Sequence, residues 1–374
     1  LLNASSSPDS GAAFDPKQFL RVDELEAVAY ARMTTMAADY YRSGAWGEHT
    51  LQWNLDAWEE IRIFHRALVD VSRRKTAITL LGSKSAFPFI IAPTALHKLA
   101  HPDGELASMR AASSRGVPLI LSSLSSTGVE EVCAVAKHAD VWMQLYIGKE
   151  RAHVLDLSAR AQAAGCRALV LTVDTPVWGV RERDIRNGFC IPAGIQAVNL
   201  MRSGTAGGPT GHTGAGLGEA LGWAIDASLS WKDLEWLIAK QSLPILVKGV
   251  CRVDDALRAV DAGAQGIIVS NHGGRQLDGA PATAESLPAI AAAVRDRACV
   301  IVDGGIRRGV DVLRALALGA HAASAGRPIL WGLGAGGEAG VARALELLET
   351  EFDLAMALAG CATLEDISPD LLRG

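Results

Sequence analysis

One local pattern recurs along the chain and limits what it can fold into: an Ala-rich amphipathic run, a glycine, then a short apolar strand. It reads Ala161-Gln162-Ala163-Ala164-Gly165 before Ala168 to Asp174, and Ala259-Val260-Asp261-Ala262-Gly263 before Gly266 to Asn271. It returns as Ala315 to Gly319 before Ala322 to Arg327, and as Ala111 to Gly116 before Pro118 to Ser122. Glycine suits the left-handed position that ends a helix, so each unit is read as helix, cap, strand. Strands of this kind are predicted at 88–93, 118–122, 141–146, 168–174, 244–249, 266–271, 299–304 and 321–326. Apolar strands alternating with helices imply a parallel sheet covered on its outer side. Eight such units between residues 88 and 326 favour an α/β fold of the closed (β/α)8 TIM-barrel type over an open sheet.

The polar residues gather where each strand ends: Thr94, Ser122, Gln144, Tyr146, Thr172, Asp174, Lys248, Ser270, His272, Asp303 and Arg327. That is the face on which barrels build their sites. Residues 1–75 read as an N-terminal extension, helical around Glu24 to Tyr41, that plugs or caps a barrel spanning 76–350, the whole forming one domain. The connection after the fourth strand is long. Within 190–225, the Gly/Thr-rich run Ser203 to Gly216 reads as a mobile stretch, either a lid or a plain insertion.

Ser270-Asn271-His272-Gly273-Gly274-Arg275-Gln276-Leu277-Asp278-Gly279 leaves the sixth strand. It sets a titratable base and a fixed cation three residues apart on a loose backbone, which suits proton abstraction from an anionic substrate. Asp174, at the end of the fourth strand, is placed to orient His272 and stabilise its charge. Asp303-Gly304-Gly305-Ile306-Arg307 and Gly326-Arg327-Pro328 follow the last two strands, the usual phosphate site of a barrel; tight turns with solvated arginines are the plainer reading. Lys248 suits a Schiff base, a cation held against an electron-rich cofactor, or a structural ion pair.

Composition narrows the field. A net charge of −5 with scattered basic residues argues against nucleic acid. No apolar run reaches the roughly 18 residues of a membrane span. The six cysteines lie far apart in sequence with no C-x-x-C pair, which fits a reduced, cytoplasmic setting. The first residues lack the basic end and apolar core of a signal peptide, and Leu371 to Gly374 carries no peroxisomal address. Gly332-Leu333-Gly334-Ala335-Gly336-Gly337 matches a dinucleotide fingerprint but lacks a following strand bearing an acid. His97 and His101 are spaced like metal ligands, yet Pro102 follows and no carboxylate converges on them, so no metal is expected.

The run Ser270 to Gly279 closely resembles the active-site signature of the FMN-dependent α-hydroxy acid oxidases and dehydrogenases. The resemblance extends through Ile91 to Ala95, Leu171 to Pro176, Leu246 to Gly249, Asp303 to Gly309, Gly326 to Pro328 and the earlier Asp39-Tyr40-Tyr41, in the expected order. It implies that His272 takes a proton from the substrate with Asp174 as partner. It implies that Arg181 and Arg275 clamp the substrate carboxylate, helped by Tyr40 and Tyr146. Lys248 then lies at the flavin edge where negative charge grows. Ser122, Gln144, Thr172 and Ser270 hydrogen-bond the ring, with Pro93, Thr94 and Ala95 beneath it. Asp303, Gly305, Arg307, Gly326 and Arg327 hold the ribityl chain and phosphate. The implied reaction oxidises an L-2-hydroxy acid to a 2-oxo acid through FMN, in a homo-oligomer that is a tetramer or larger.

Leu124 stands where glycolate-oxidising relatives have Trp, and Val180 where similar enzymes often carry Arg. The smaller Leu124 favours lactate or a longer aliphatic or aryl acid over glycolate. O2 as acceptor, giving H2O2, is the expected outcome. Another electron acceptor or a monooxygenase outcome are the alternatives, and a Schiff-base aldolase on Lys248 is the rival class.

Overall fold

In the computed structural model, which describes residues 14–200 and 224–373, the chain closes into the expected barrel. A short antiparallel hairpin comes first, β1 (Ile78–Leu80) with β2 (Ser83–Ser85). Eight parallel strands follow: β3 (Phe89–Ile91), β4 (Leu119–Leu121), β5 (Val141–Leu145), β6 (Leu169–Thr172), β7 (Ile245–Val250), β8 (Gly266–Val269), β9 (Cys299–Val302) and β10 (Ala322–Ala325). β10 returns to β3, with Ser324 opposite Ile90, so the sheet has no free edge. Three helices precede the barrel: α1 (Glu24–Arg32), α2 (Thr35–Arg42) and α3 (His49–Glu60). The rest are α4 (Gly104–Ser114), α5 (Val129–Val135), α6 (Arg151–Ala164), α7 (Glu182–Arg186), α8 (Trp231–Lys240), α9 (Val253–Asp261), α10 (Thr283–Val294), α11 (Gly309–Ala317) and α12 (Arg327–Ala359).

The strands' two-residue alternation decides the site. One inward layer is apolar: Ile90, Ile120, Trp142, Val170, Leu246, Ile268, Ile301 and Ala322 pack together, apart from the larger cluster between strands and helices. Two residues further along the same faces come Ala92, Ser122, Gln144, Thr172, Lys248, Ser270, Asp303 and Ser324. Side chains two apart on a strand share a face, so a polar ring sits directly above the dry layer at the C-terminal mouth.

Different segments cover the two mouths of the barrel. The opposite, N-terminal mouth is closed by the unpredicted hairpin: Leu80 joins the inner apolar layer, and the Trp142 indole N–H donates to Ser83 Oγ at 2.9 Å. The 15–75 region packs elsewhere. The α1 helix lies along α12, and α3, which the sequence reading did not single out, covers the loops after β8 and β9. The α2 helix starts where Thr34 Oγ1 accepts the Ala37 N–H at 3.2 Å.

The G-x-G-x-x-G run lies inside α12, where Gly332 packs against the Gly340 backbone and Gly334 against Met33. Its glycines serve close packing, not a nucleotide. No described helix is long and apolar enough to cross a membrane. The Ser203 to Gly216 segment, read as either a lid or a plain insertion, lies outside the described residues.

Candidate active site

At the end of β8 the backbone turns through three consecutive left-handed residues: His272 at φ 60°, Gly273 at 65° and Gly274 at 74°. A Cβ on Gly274 would come within 2.6 Å of the Leu51 N atom of α3, so glycine is required there. His272 holds the same conformation without that freedom, a local strain of the kind found at functional turns. It is fixed by partners: its N–H donates to Ser270 Oγ at 3.1 Å, and Asn271 exchanges amide hydrogen bonds with Asn54 at 2.8 and 2.9 Å. His272 Nδ1 donates to Asp174 Oδ1 at 2.7 Å, which leaves Nε2 as the free base. Asp174 is wedged against β7, since a Cβ on Gly249 would lie 2.6 Å from its Cβ and Cγ.

Burial pushes the His272 imidazole below its ordinary value, while the Asp174 carboxylate pulls it back up. The ring is therefore neutral near neutral pH and can accept a proton. Burial raises Asp174, but His272 and Lys248 outweigh it and hold the carboxyl below its ordinary value. Lys248 Nζ donates to Ser270 Oγ at 2.8 Å and pairs with Asp303 Oδ2 at 3.2 Å. Burial alone would lower this ammonium, but Asp303 and Asp174 raise it. A Schiff-base lysine needs a neutral amine, whereas Lys248 Nζ is engaged by Ser270 and the Asp303 carboxylate, which favours the charged form.

Four guanidiniums enter the same pocket. Arg181 and Arg275 flank the Tyr40 ring, 6.0 and 5.2 Å from its centroid. Burial, reinforced by Arg275, brings Arg181 down to about 10, and burial with Arg275 and Arg307 brings Arg327 to about 9. Cations that depress one another in a buried pocket mark a place that gains from anions. Arg275 and Arg327 donate to the carbonyls of Tyr41 and Ser43, and Arg307 lies over Trp331 at the foot of α12. The N-terminal end of α12 adds its positive dipole beside Gly326.

A belt of amides and hydroxyls lines the wall opposite. Gln144 Oε1 accepts the Ser123 N–H at 3.1 Å and Ser122 Oγ–H at 3.4 Å, and its amide donates to Thr172 Oγ1 at 3.0 Å. Thr94 Oγ1 sits 2.5 Å from His97 Nε2, so His97 belongs to a buried hydrogen-bond network with Ser108 and Glu105. No cluster of metal-ligating side chains occurs among the described residues.

The structure gathers the sequence-predicted residues into one cleft of about 940 Å3, open mouth included. Tyr40, Pro93, Thr94, Ala95, Ser122, Leu124, Gln144, Tyr146, Thr172, Arg181, Lys248, His272, Arg275, Asp303, Gly305, Arg307, Gly326 and Arg327 line it. Asp174 and Ser270 stand behind that lining, bonded to His272 and Lys248. Trp178 and Ser324 line it too and were not singled out by sequence, and Tyr41, noted only within the Asp39-Tyr40-Tyr41 run, joins them. Ser324 was within reach, because it stands two residues after inward-facing Ala322. Trp178 projects from an irregular loop with no periodicity to read, its ring 6.0 Å from Tyr146.

The pocket fits FMN. Asp303 Oδ1 and Ser324 Oγ are buried without a hydrogen-bond partner among the described residues, as acceptors for ribityl hydroxyls would be. Arg307, Arg327 and the α12 terminus have the charge and donors that a phosphate would need, the amide belt suits the polar edge of a heteroaromatic ring, and Lys248 is a buried cation.

A (β/α)8 barrel whose C-terminal mouth joins a His–Asp pair, a buried lysine and four guanidiniums in one cleft has the makings of a flavin-dependent oxidoreductase of anionic substrates. The chain belongs to the FMN-dependent dehydrogenase family, whose model matches residues 29–374. It is 47% identical over 353 residues to an L-lactate oxidase of Nostoc sp., covering 94% of this chain and 97% of the relative. It is also 47% identical over 352 residues to glycolate oxidase 3 of Arabidopsis thaliana, covering 94% and 95%. A crystal structure of mandelate oxidase with (S)-4-hydroxymandelic acid superposes with a TM-score of 0.87 at 41% identity, over 93% of this chain and 97% of that one. The protein is an FMN-dependent enzyme that oxidises an L-2-hydroxy acid to the 2-oxo acid.

Proposed function

We propose that the substrate is lactate or a longer aliphatic or aryl L-2-hydroxy acid rather than glycolate, and that O2 accepts the electrons and leaves as H2O2. The observation that carries the chemistry is the His272–Asp174 pair at 2.7 Å, set in a pocket with Arg181 and Arg275. These two guanidiniums bind the substrate carboxylate, and the Tyr40 and Tyr146 hydroxyls, kept protonated by burial, donate to it. His272 Nε2 takes a proton from the substrate, and Asp174 stabilises the imidazolium that forms. FMN, when bound, would supply the two-electron acceptor. Ser122, Gln144, Thr172 and Ser270 would hydrogen-bond its ring, supported by Pro93, Thr94 and Ala95. Lys248 would supply positive charge to it, and Asp303, Gly305, Arg307, Gly326 and Arg327 would hold ribityl and phosphate.

Leu124 and Trp178 both contribute apolar side chains to the cleft lining, which supports a substrate with a hydrophobic side chain. Relatives described as L-lactate oxidase and mandelate oxidase support both the larger acid and the oxidase outcome. The same reading makes the chain one functional unit that works in the cytoplasm as a homo-oligomer of four or more copies. The test is anaerobic mixing with L-lactate, a longer aliphatic L-2-hydroxy acid, (S)-mandelate and glycolate, followed by admission of air. Fastest flavin bleaching by one of the first three, with rapid recolouring and one H2O2 per turnover in air, is expected. Preference for glycolate overturns the substrate assignment, and slow recolouring overturns O2.

A further inference from the structure

The six cysteines are all free, and one pair has its sulfurs in van der Waals contact although 33 residues separate the two in sequence. Cys133, partly exposed on α5, has its Sγ 3.7 Å from that of buried Cys166, which follows the Gly165 cap of α6. The contact is held from both sides. Arg160 of α6 grips Glu130 of α5 with two hydrogen bonds, at 2.7 and 3.0 Å, one turn before Cys133. Cys166 N–H donates to Ala161 O at 2.9 Å, which fixes the turn that carries the second sulfur.

We propose that Cys133 and Cys166 form a peroxide-oxidisable dithiol that closes to an intramolecular disulfide. The oxidant is H2O2, and insofar as the enzyme itself supplies it, the inference rests on the O2 reading above. The Cys133 thiolate attacks one oxygen of H2O2, breaking the O–O bond and giving a sulfenic acid and hydroxide. The Cys166 sulfur then attacks the sulfenyl sulfur, the S–O bond breaks, and the Cys166 proton leaves in water. The balance is two thiols and one H2O2 giving one disulfide and two waters. Both sulfurs are oxidised and both peroxide oxygens are reduced. The order of attack follows from access: Cys133 is partly exposed on α5 and can meet peroxide, whereas Cys166 is buried behind it. None of the other four cysteines is in contact with a second cysteine sulfur among the described residues, so a sulfenic acid on any of them has no neighbouring thiol with which to condense.

The test treats the FMN-loaded enzyme with H2O2 and reads intact mass and peptide maps without reduction. Loss of two hydrogens, a Cys133–Cys166 cross-linked peptide and reversal by dithiothreitol are expected. Cys133→Ser should abolish the loss, while Cys166→Ser should leave a dimedone-trappable sulfenic acid on Cys133; unchanged flavin spectra certify that both variants fold. Oxygen addition to Cys133 in the wild type without a cross-link, or a disulfide joining other cysteines, overturns the proposal. A second arm replaces added H2O2 by an L-2-hydroxy acid and air, with and without catalase. A cross-link suppressed by catalase is expected. A cross-link with added H2O2 but none during turnover sustains the dithiol and counts against the O2 reading.

Discussion

Replacing Asp174 by Asn keeps the shape beside His272 and removes the charge. At the 2.7 Å separation of Nδ1 and Oδ1, unit charges in a medium of effective dielectric ~20 attract by about 6 kcal/mol. The asparagine carbonyl still accepts the Nδ1–H, which returns about 1 kcal/mol, and the surroundings relax around the neutral amide. About 3–5 kcal/mol of stabilisation is then lost as the imidazolium forms, a fall of roughly 10²–10⁴-fold in the rate of flavin reduction. The assay is anaerobic stopped-flow bleaching as a function of substrate concentration and pH. Asp174 does not line the cleft, so the substrate dissociation constant should move little. The pH profile supplies a sign. Burial lowers His272 and Asp174 raises it, so the free base is lost as pH falls through the His272 value. Without the carboxylate that acid limb should shift to lower pH. A loss smaller than about tenfold, or an acid limb displaced upward, would refute the role given to the pair.

Gly249→Ala drives a methyl against Asp174 at a φ of 105°, so flavin reduction should slow as it does for Asp174→Asn. Urea unfolding should show a further loss of about 1–3 kcal/mol from the backbone; unaltered rates would mean the loop yields without moving Asp174. Leu124→Trp narrows the cleft, and the ratio of kcat/KM for glycolate to that for the larger acids should rise at least tenfold, read by H2O2 release. Glu105→Ala strips the acceptor from the His97 and Ser126 N–H groups and from the Ser126 and Thr127 hydroxyls, and should cost at least about 3 kcal/mol in urea. In the wild type, burial raises Glu105, but His97 and Ser126 hold it below its ordinary value. Its contribution should be intact above the unfolded carboxyl pKa and fade as pH falls through the folded one, which Tm against pH checks.

Much of the site was legible because strand parity and strand ends are properties of sequence. Gln144, Thr172, Lys248 and Asp303 each stand two residues beyond an apolar inward position, so their convergence follows once the barrel is recognised. What escaped lay in irregular backbone or in long-range pairing. A plug or cap was expected from residues 1–75, and the N-terminal mouth is also filled by Leu80 and Ser83 from a three-residue hairpin strand pair too short to show a pattern. Trp178 sits on a loop, and the α3 contacts of Asn54 and Trp58 with the loops after β8 and β9 join residues more than 200 positions apart.

The sequence alone determined the barrel, its polar mouth and the identity of the reacting groups. Apolar strands at regular intervals admit few closed arrangements, and a histidine, a lysine and paired arginines at strand ends limit the chemistry. Tertiary structure decided the states of those groups. Lys248 is an ammonium because Asp303 lies 3.2 Å away, and His272 is neutral because burial outweighs the upward pull of Asp174. Two cysteines that look unrelated in sequence touch because α5 and the α6 turn pack side by side. Charge state and reactivity depend on distance and burial in three dimensions, and neither is a property of spacing along the chain.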